Sequence, residues 1–157
     1  MRPEDWPAVL SIYVEGLATR NATFETEPPS WERWNDGHLD APRLVMKQDG
    51  QVAGWAALSR VSTRAVYSGV AEVSIYLAAS QRGKGLAGSL FSALIHASEQ
   101  AGIWTLQSSI FAENKASIAL HERFGFRQIG RRERIGQMDG IWRDTILMER
   151  RSLVVGV

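Results

Sequence analysis

The stretch Gln81-Arg82-Gly83-Lys84-Gly85-Leu86-Ala87-Gly88 constrains this chain more than any other. Before it stands Glu72-Val73-Ser74-Ile75-Tyr76-Leu77, whose β-branched and aromatic content predicts a strand. After it, Leu86, Leu90, Phe91, Leu94 and Ile95 recur at helical spacing. That predicts a helix from near Gly83 to about Ala101 with those residues on its buried face. Glycines let a backbone approach a ligand with no Cβ in the way. A helix start offers unpaired N–H groups and a partial positive charge. Strand, glycine loop and helix start in succession read as an anion site of the kind that holds a diphosphate, and Arg82 and Lys84 add charge there.

Gly83, Gly85 and Gly88 also spell the G-x-G-x-x-G fingerprint of dinucleotide-binding domains. That reading fails on spacing. Residues 78–82 intervene between the strand and the first glycine, whereas the fingerprint needs a tight turn directly after the strand. No acidic residue ends a following strand about 20 positions on, where a ribose contact belongs. At 157 residues the chain is also short for a cofactor domain plus a substrate domain. A kinase glycine loop is excluded because no H-R-D or D-F-G follows.

The rest of the chain fits a single mixed α/β domain over residues 1–157. Trp6 to Ala18 is periodic at helical spacing, capped by Asp5 or Trp6, and Ser30 caps a short helix through Trp31, Trp34 and Leu39. Arg43–Lys47 and Val52–Ser59 form a hairpin around Asp49-Gly50. A strand at Thr105–Ile110 precedes a helix opened by Asn114, with Ile118, Ala119 and Phe124 inward. Strands at about Phe126–Ile135 and Ile141–Met148 close the chain. With 45% hydrophobic and 22% charged residues, a packed core forms without staples. The absence of cysteine excludes disulfides, zinc–thiolate sites and thiol nucleophiles. A formal charge of +1 does not argue for nucleic acid, and Arg131-Arg132-Glu133-Arg134 reads as a solvated strand end. No apolar run approaches the ~20 residues of a membrane span. The N-terminus lacks the basic start and apolar run of a signal peptide, so a cytoplasmic protein is expected. His38, His96 and His121 lack ligand spacing and no metal is expected. Trp31, Trp34, Trp55, Trp104 and Trp142 read as packing.

Arg82-Gly83-Lys84-Gly85-Leu86-Ala87 resembles the R-x-x-G-x-G/A motif of the GNAT acetyltransferases. Asn114-Lys115-Ala116-Ser117 and Leu120-His121-Glu122-Arg123-Phe124-Gly125-Phe126 resemble that family's second cofactor segment. Tyr67, Glu72–Leu77 and Gly136–Met148 resemble the phosphinothricin and methionine-sulfoximine acetyltransferase branch. His121, where many of the wider family carry Tyr, also fits the branch. One departure is that only Met1-Arg2 precede the first helix, where the family usually has a full strand.

The resemblance implies the GNAT fold, a mixed and mostly antiparallel sheet with a splayed central strand pair, flanked by helices. It implies acetyl-coenzyme A as co-substrate, with its diphosphate on the main chain of Gly83, Lys84, Gly85, Leu86, Ala87 and Gly88, helped by Arg82. The pantetheine arm pairs with the backbone of Ile75, Tyr76 and Leu77, where an N–H polarises the thioester carbonyl. Asn114 bonds the arm, or caps its helix, or both, and Ser117 also reaches it. Glu72 is expected as general base rather than a solvated strand-end carboxylate. His121 is expected either to protonate or shuttle a proton to the leaving thiolate, or to be a buried helix histidine. Arg64, Ala65, Val66 and Tyr67 are expected to hold the acceptor, Arg64 by its carboxylate, while Phe24 and Glu25 belong to a loop that closes over the site. The implied reaction is direct acetyl transfer to the amine of a small amino-acid analogue such as methionine sulfoximine, methionine sulfone or phosphinothricin, by a homodimer. The rivals are an acetyltransferase for a polyamine, aminoglycoside or protein N-terminus, and a non-catalytic acyl-coenzyme A sensor.

Overall fold

The computed structural model describes residues 1–157. A 3-10 turn at Pro3–Asp5 leads into α1 (Trp6–Ala18), and α2 (Trp31–Gly37) follows. Ser30 caps α2, its hydroxyl accepting the Arg33 N–H at 3.3 Å. Asp5, a candidate cap for α1, makes no such bond. Its buried carboxylate instead accepts the Arg2 N–H at 2.7 Å and meets Lys47 Nζ at 3.0 Å, pinning the N-terminus to the sheet.

Six strands make one sheet: β1 (Arg43–Gln48), β2 (Gln51–Arg60), β3 (Val70–Leu77), β4 (Thr105–Phe111), β5 (Arg127–Met138) and β6 (Ile141–Arg151). Their order is β1-β2-β3-β4-β6-β5. All neighbours are antiparallel except β3 and β4. That pair is parallel because α3 (Leu86–Gln100) carries the chain back between them. The last helix, α4 (Lys115–Arg123), joins β4 to β5.

Ala53 to Leu58 of β2 are buried without a break, because both faces of the sheet are covered there. Trp55 and Ala57 point to the α1–α2 side and pack with Val9, Ile12 and Trp34. Ala56 and Leu58 point the other way, to Leu90, Phe91 and Leu94 of α3 and to Ile118 of α4.

Several expectations are corrected. Helix α3 begins at Leu86, not near Gly83, because Gly83 and Gly85 take φ of +74° and +79°, which no α-helix accommodates. Leu39 lies beyond α2, donating its N–H to the Leu58 carbonyl at 2.7 Å. Ala119 is exposed rather than inward. Strand β5 runs on to Met138, through an irregularity between Arg132 and Gly136. Trp142 is not packing, since it stands 57% exposed on the outer hairpin.

One feature of the sheet positions the site. Strands β3 and β4 pair only at Val70–Thr105, Ala71–Leu106 and Glu72–Gln107. Beyond Glu72, β3 continues to Leu77 on β2 alone, and beyond Gln107, β4 continues to Phe111 on β6 alone. The sheet opens into a wedge between residues 73–77 and 108–111.

Candidate active site

The wedge widens into a cavity of about 1030 Å³. Its walls are Glu72–Leu77 of β3, Ser108–Phe111 of β4, the glycine loop, α4, and the loop Asn21–Glu25 after α1.

At one end lies the glycine loop. The two left-handed glycines turn the chain so that α3 starts with its N-terminus toward the cavity, lined here by Arg82, Gly83, Gly85, Ala87 and Gly88. Of the amides in the turn, Gly88 donates to the Gly85 carbonyl at 3.1 Å. The N–H groups of Gly83, Lys84, Gly85, Leu86 and Ala87 donate to no acceptor of the chain, and such groups at a helix start attract anions. Arg123, the last residue of α4, also lines the cavity, and the Phe124 ring that follows it lies beside Gly88. Lys84 and Leu86 stand off the cavity wall, and the Lys84 ammonium donates to Gln81 Oε1 at 3.2 Å.

In the middle runs the edge of β3 that has lost its neighbour, carrying Ile75, Tyr76 and Leu77. The Tyr76 ring is fixed by stacking on Trp55 at 4.8 Å and by the edge of Tyr13 at 5.0 Å. Burial pushes its phenol well above the ordinary range, so it stays neutral. Across the cavity Asn114 serves two partners. Its Oδ1 accepts the Ser117 N–H at 3.1 Å, capping α4, and its Nδ2 donates to the Asn21 carbonyl at 2.9 Å. Asn114 and Ser117 both line the cavity.

His121 is 1% exposed, with Phe91 and Phe126 at 4.8 and 4.9 Å from its ring. Its Nδ1 lies 2.8 Å from the Ser117 carbonyl, which can only accept, so Nδ1 carries the proton. Burial lowers the pKa below the ordinary 6.5. The ring is then neutral near pH 7, with a lone pair on Nε2 and no partner for it. In this tautomer Nε2 can accept but has no proton to give. As placed, the ring is a neutral, buried helix histidine on the cavity wall whose Nε2 can accept a proton.

At the other end stands Glu72, half-buried at the point where the strands part. Its one side-chain partner is the neutral amide of Gln107, which donates to Oε2 at 3.2 Å. The remaining lone pairs face a cavity rather than a cation. Phe24 and Glu25 close this end. The Phe24 ring meets Phe111 edge-on at 4.6 Å and lies against Gly136, where a Cβ would come within 2.7 Å of it. Glu25 is exposed and accepts from Arg33 at 3.4 Å.

The structure thus gathers Phe24, Glu25, Glu72, Ile75, Tyr76, Leu77, Arg82, Gly83, Gly85, Ala87, Gly88, Asn114, Ser117 and His121 on one cavity. It leaves Arg64, Ala65, Val66 and Tyr67 off its walls, on an exposed turn leading into β3, with the Arg64 guanidinium over the Tyr67 ring at 5.5 Å. Sequence reasoning missed Arg123, Asn21–Thr23 and the Ser108–Ser109 stretch of β4. Ser108 and Ser109 project to opposite faces and both reach the cavity because the parting bares the β4 edge, a property of the assembled sheet. No periodicity marks Arg123.

The family model described as acetyltransferase (GNAT) family matches residues 6–126, from α1 through the glycine loop and α4. The chain belongs to the GNAT acetyltransferase family. This GNAT chain is 34% identical to a phosphinothricin N-acetyltransferase of Alcaligenes faecalis over 96% of its own length and 79% of the relative's. It is 32% identical to an L-methionine sulfoximine/L-methionine sulfone acetyltransferase of Pseudomonas aeruginosa, over 92% and 88%. Its fold superposes with a TM-score of 0.85 on a GNAT phosphinothricin acetyltransferase from Sinorhizobium meliloti solved with acetyl-coenzyme A, at 31% identity over 96% and 85% of the two chains. No helix of this acetyltransferase is long and apolar enough to cross a membrane.

Proposed function

We propose that this acetyltransferase moves the acetyl group of acetyl-coenzyme A directly onto the amine of a small amino-acid analogue of the methionine sulfoximine, methionine sulfone or phosphinothricin type. The parting of β3 from β4 immediately after Glu72 carries this reading. It leaves an unpaired strand edge, on which an amide-bearing arm can add as a further strand, ending beside a carboxylate. The residues present fit the co-substrate. The unsatisfied N–H groups of residues 83–87, with Arg82 and Arg123, would hold phosphates, and the edge at Ile75, Tyr76 and Leu77 would hold the pantetheine amides. Acetyl-coenzyme A supplies an activated thioester carbonyl and a thiolate leaving group. The chain's own groups do the rest. A main-chain N–H of the free edge polarises the carbonyl, worth about 3–4 kcal/mol where such donors have been removed in other enzymes. Glu72 takes the proton that the attacking amine must lose as the C–N bond forms and the C–S bond breaks. Asn114 orients the arm.

The acceptor class rests on kinship with the relatives above. Gripping a substrate carboxylate with Arg64 requires its exposed turn to fold toward the cavity. The homodimer expected from resemblance to the branch is tested by sedimentation velocity.

Two measurements separate the readings. Titration calorimetry must show heat of association with acetyl-coenzyme A, and its absence sinks the proposal outright. Thiol release is then followed over a panel containing methionine sulfoximine, phosphinothricin, a polyamine, an aminoglycoside and an alanine-terminated peptide. Turnover confined to the first two supports the amino-acid reading. Turnover confined to the others replaces the acceptor, and binding without turnover of any amine identifies a sensor.

A further inference from the structure

The loop Asn21–Glu25 walls the acceptor end of the cavity, yet it has little internal support. Its own ties are the Asn21 N–H to Thr19 Oγ1 at 3.2 Å and the Glu25 N–H to Thr23 Oγ1 at 3.1 Å. What fixes it from outside is Asn114 of α4, whose Nδ2 donates to the Asn21 carbonyl at 2.9 Å, and the far strand. Arg143 of β6 sends Nη1 to the Arg20 carbonyl at 3.0 Å and Nη2 to Asn21 Oδ1 at 3.3 Å and Glu113 Oε2 at 3.2 Å. The guanidinium lies over Phe111, 4.1 Å from the ring centre, and Phe111 meets Phe24 edge-on. The residue opposite Arg143 on β5 is Gly136, whose missing Cβ receives the Phe24 ring. One strand pair thus grips the start of the loop with a cation and seats its apolar middle against a bare Cα.

We propose that Arg143 is a positioning residue for the acceptor site. It does not line the cavity, and acts by holding residues 20–24 so that Phe24 closes the amine end. This inference rests on the acetyl-transfer reading above. The Arg143 side chain is only 16% exposed, whereas the ion pairs at the two ends of the loop, Arg20 with Asp139 and Arg33 with Glu25, have partners 44% and 55%, and 70% and 53%, exposed. Exposed pairs contribute little, so the charged anchor is Arg143. The chemistry demands arginine. A planar fork reaches two loop acceptors and Glu113 while stacking on a ring, which a lysine ammonium cannot do. The co-substrate end is untouched by these contacts. Loss of Arg143 should therefore free the loop without weakening acetyl-coenzyme A binding.

The test compares wild type with Arg143→Ala, Arg143→Lys and Asn21→Ala, using whichever amine the panel selects. Steady-state kinetics, calorimetry with acetyl-coenzyme A and melting temperature are measured on each. Arg143→Ala is expected to raise KM for the amine about tenfold, the loss of a hydrogen-bonded charged group, with kcat changed less than threefold and the acetyl-coenzyme A Kd within twofold. Arg143→Lys should rescue little of this. Asn21→Ala, a milder change on an open loop, should move KM in the same direction, and the double variant should fall short of the product of the two single effects because both act through one tie. Arg127→Ala, which removes an exposed pair with Glu149 at the other end of the hairpin, should leave all constants unchanged. Equal losses of melting temperature with an unaltered amine KM would make Arg143 merely structural and overturn the inference. So would a loss of coenzyme affinity matching the loss in KM, or full rescue by lysine. If wild type itself transfers no acetyl group, it is the functional reading that has failed.

Discussion

Glu72 sits at the last rung that β3 and β4 share, with Gln107 as partner in both the ladder and the side-chain bond. Its position turns an ordinary strand carboxylate into a group half-sheltered beside an open strand edge. Replacing it by Gln keeps its size and the contact to Gln107 but removes the carboxylate proposed as base. Glu72→Gln is therefore expected to lower kcat about 10²- to 10⁴-fold while the calorimetric Kd for acetyl-coenzyme A stays within twofold. Equal turnover by both proteins would remove Glu72 from the chemistry. Residues of this kind were legible in the sequence because strand, loop and helix starts fix where they stand. Asn114 was legible in the same way: it caps its helix as expected and stands on the cavity wall. His121 was legible only as a type. What it does depends on Phe91 and Phe126 closing around it and on the Ser117 carbonyl claiming its proton, and those contacts come from tertiary packing. Arg64 was read from resemblance alone, and the structure keeps it on a turn away from the cavity.

Most elements were readable from period and punctuation. The residue bounds of α1 and the hairpin turn at Asp49-Gly50 emerge as expected. The start of α3 was not readable, because helical spacing of apolar residues says nothing about φ. Gly83 and Gly85 could have been helical, and only their positive φ makes the loop that exposes the N–H groups. This distinction has a measurable consequence. A Cβ at Gly85 meets nothing within 4 Å, so an alanine there would be strained by its backbone alone. At φ of +79° that strain is about 1–2 kcal/mol. Gly85→Ala is expected to lower the melting temperature by a few degrees, as about 1 kcal/mol does in a domain of this length. It should also weaken acetyl-coenzyme A, because the loop relieves strain by turning its N–H groups away. Calorimetry and thermal unfolding on the same preparation decide it. Unchanged coenzyme affinity in a destabilised protein would detach the loop from the binding site. At the C-terminal end the sequence suggested a shorter β5. The irregular register between Arg132 and Gly136 hides the alternation there, and Arg134 takes a left-handed φ of 48°.

Across the whole molecule, the antiparallel hairpins follow from local turns, but the strand parting that creates the cavity is a property of the assembled sheet. It arises because β3 stays with β2 and β4 with β6 once their shared ladder ends, a choice between partners distant in sequence. Only resemblance pointed to it beforehand. The same assembly shelters two histidines on opposite sides of the sheet, His121 fully and His38 in part. His38 stacks on Trp34 at 4.2 Å, and His121 lies among the aromatics on the α3 side. Burial lowers both pKa values below the ordinary 6.5. Above that pH both rings are neutral folded or unfolded, and neither makes stability depend on pH. As pH falls below it, the unfolded chain takes up protons first, so the folded state loses stability until its own rings titrate. Each unit of depression is worth about 1.4 kcal/mol. The buried Asp5 acts in a separate window. The Arg2 N–H and Lys47 hold its carboxyl below the ordinary 3.8, so its contribution is kept until the pH is more acidic still. Through the neutral range the melting temperature should therefore change little, then fall on acidification from pH 6.5 toward pH 5, and do so less steeply in a His38→Gln, His121→Gln double variant. The exposed His96 gives the control, His96→Gln, expected to follow wild type. Differential scanning calorimetry across that range measures the slopes, and an undiminished slope in the double variant would mean that these two rings do not set the acid sensitivity of the fold.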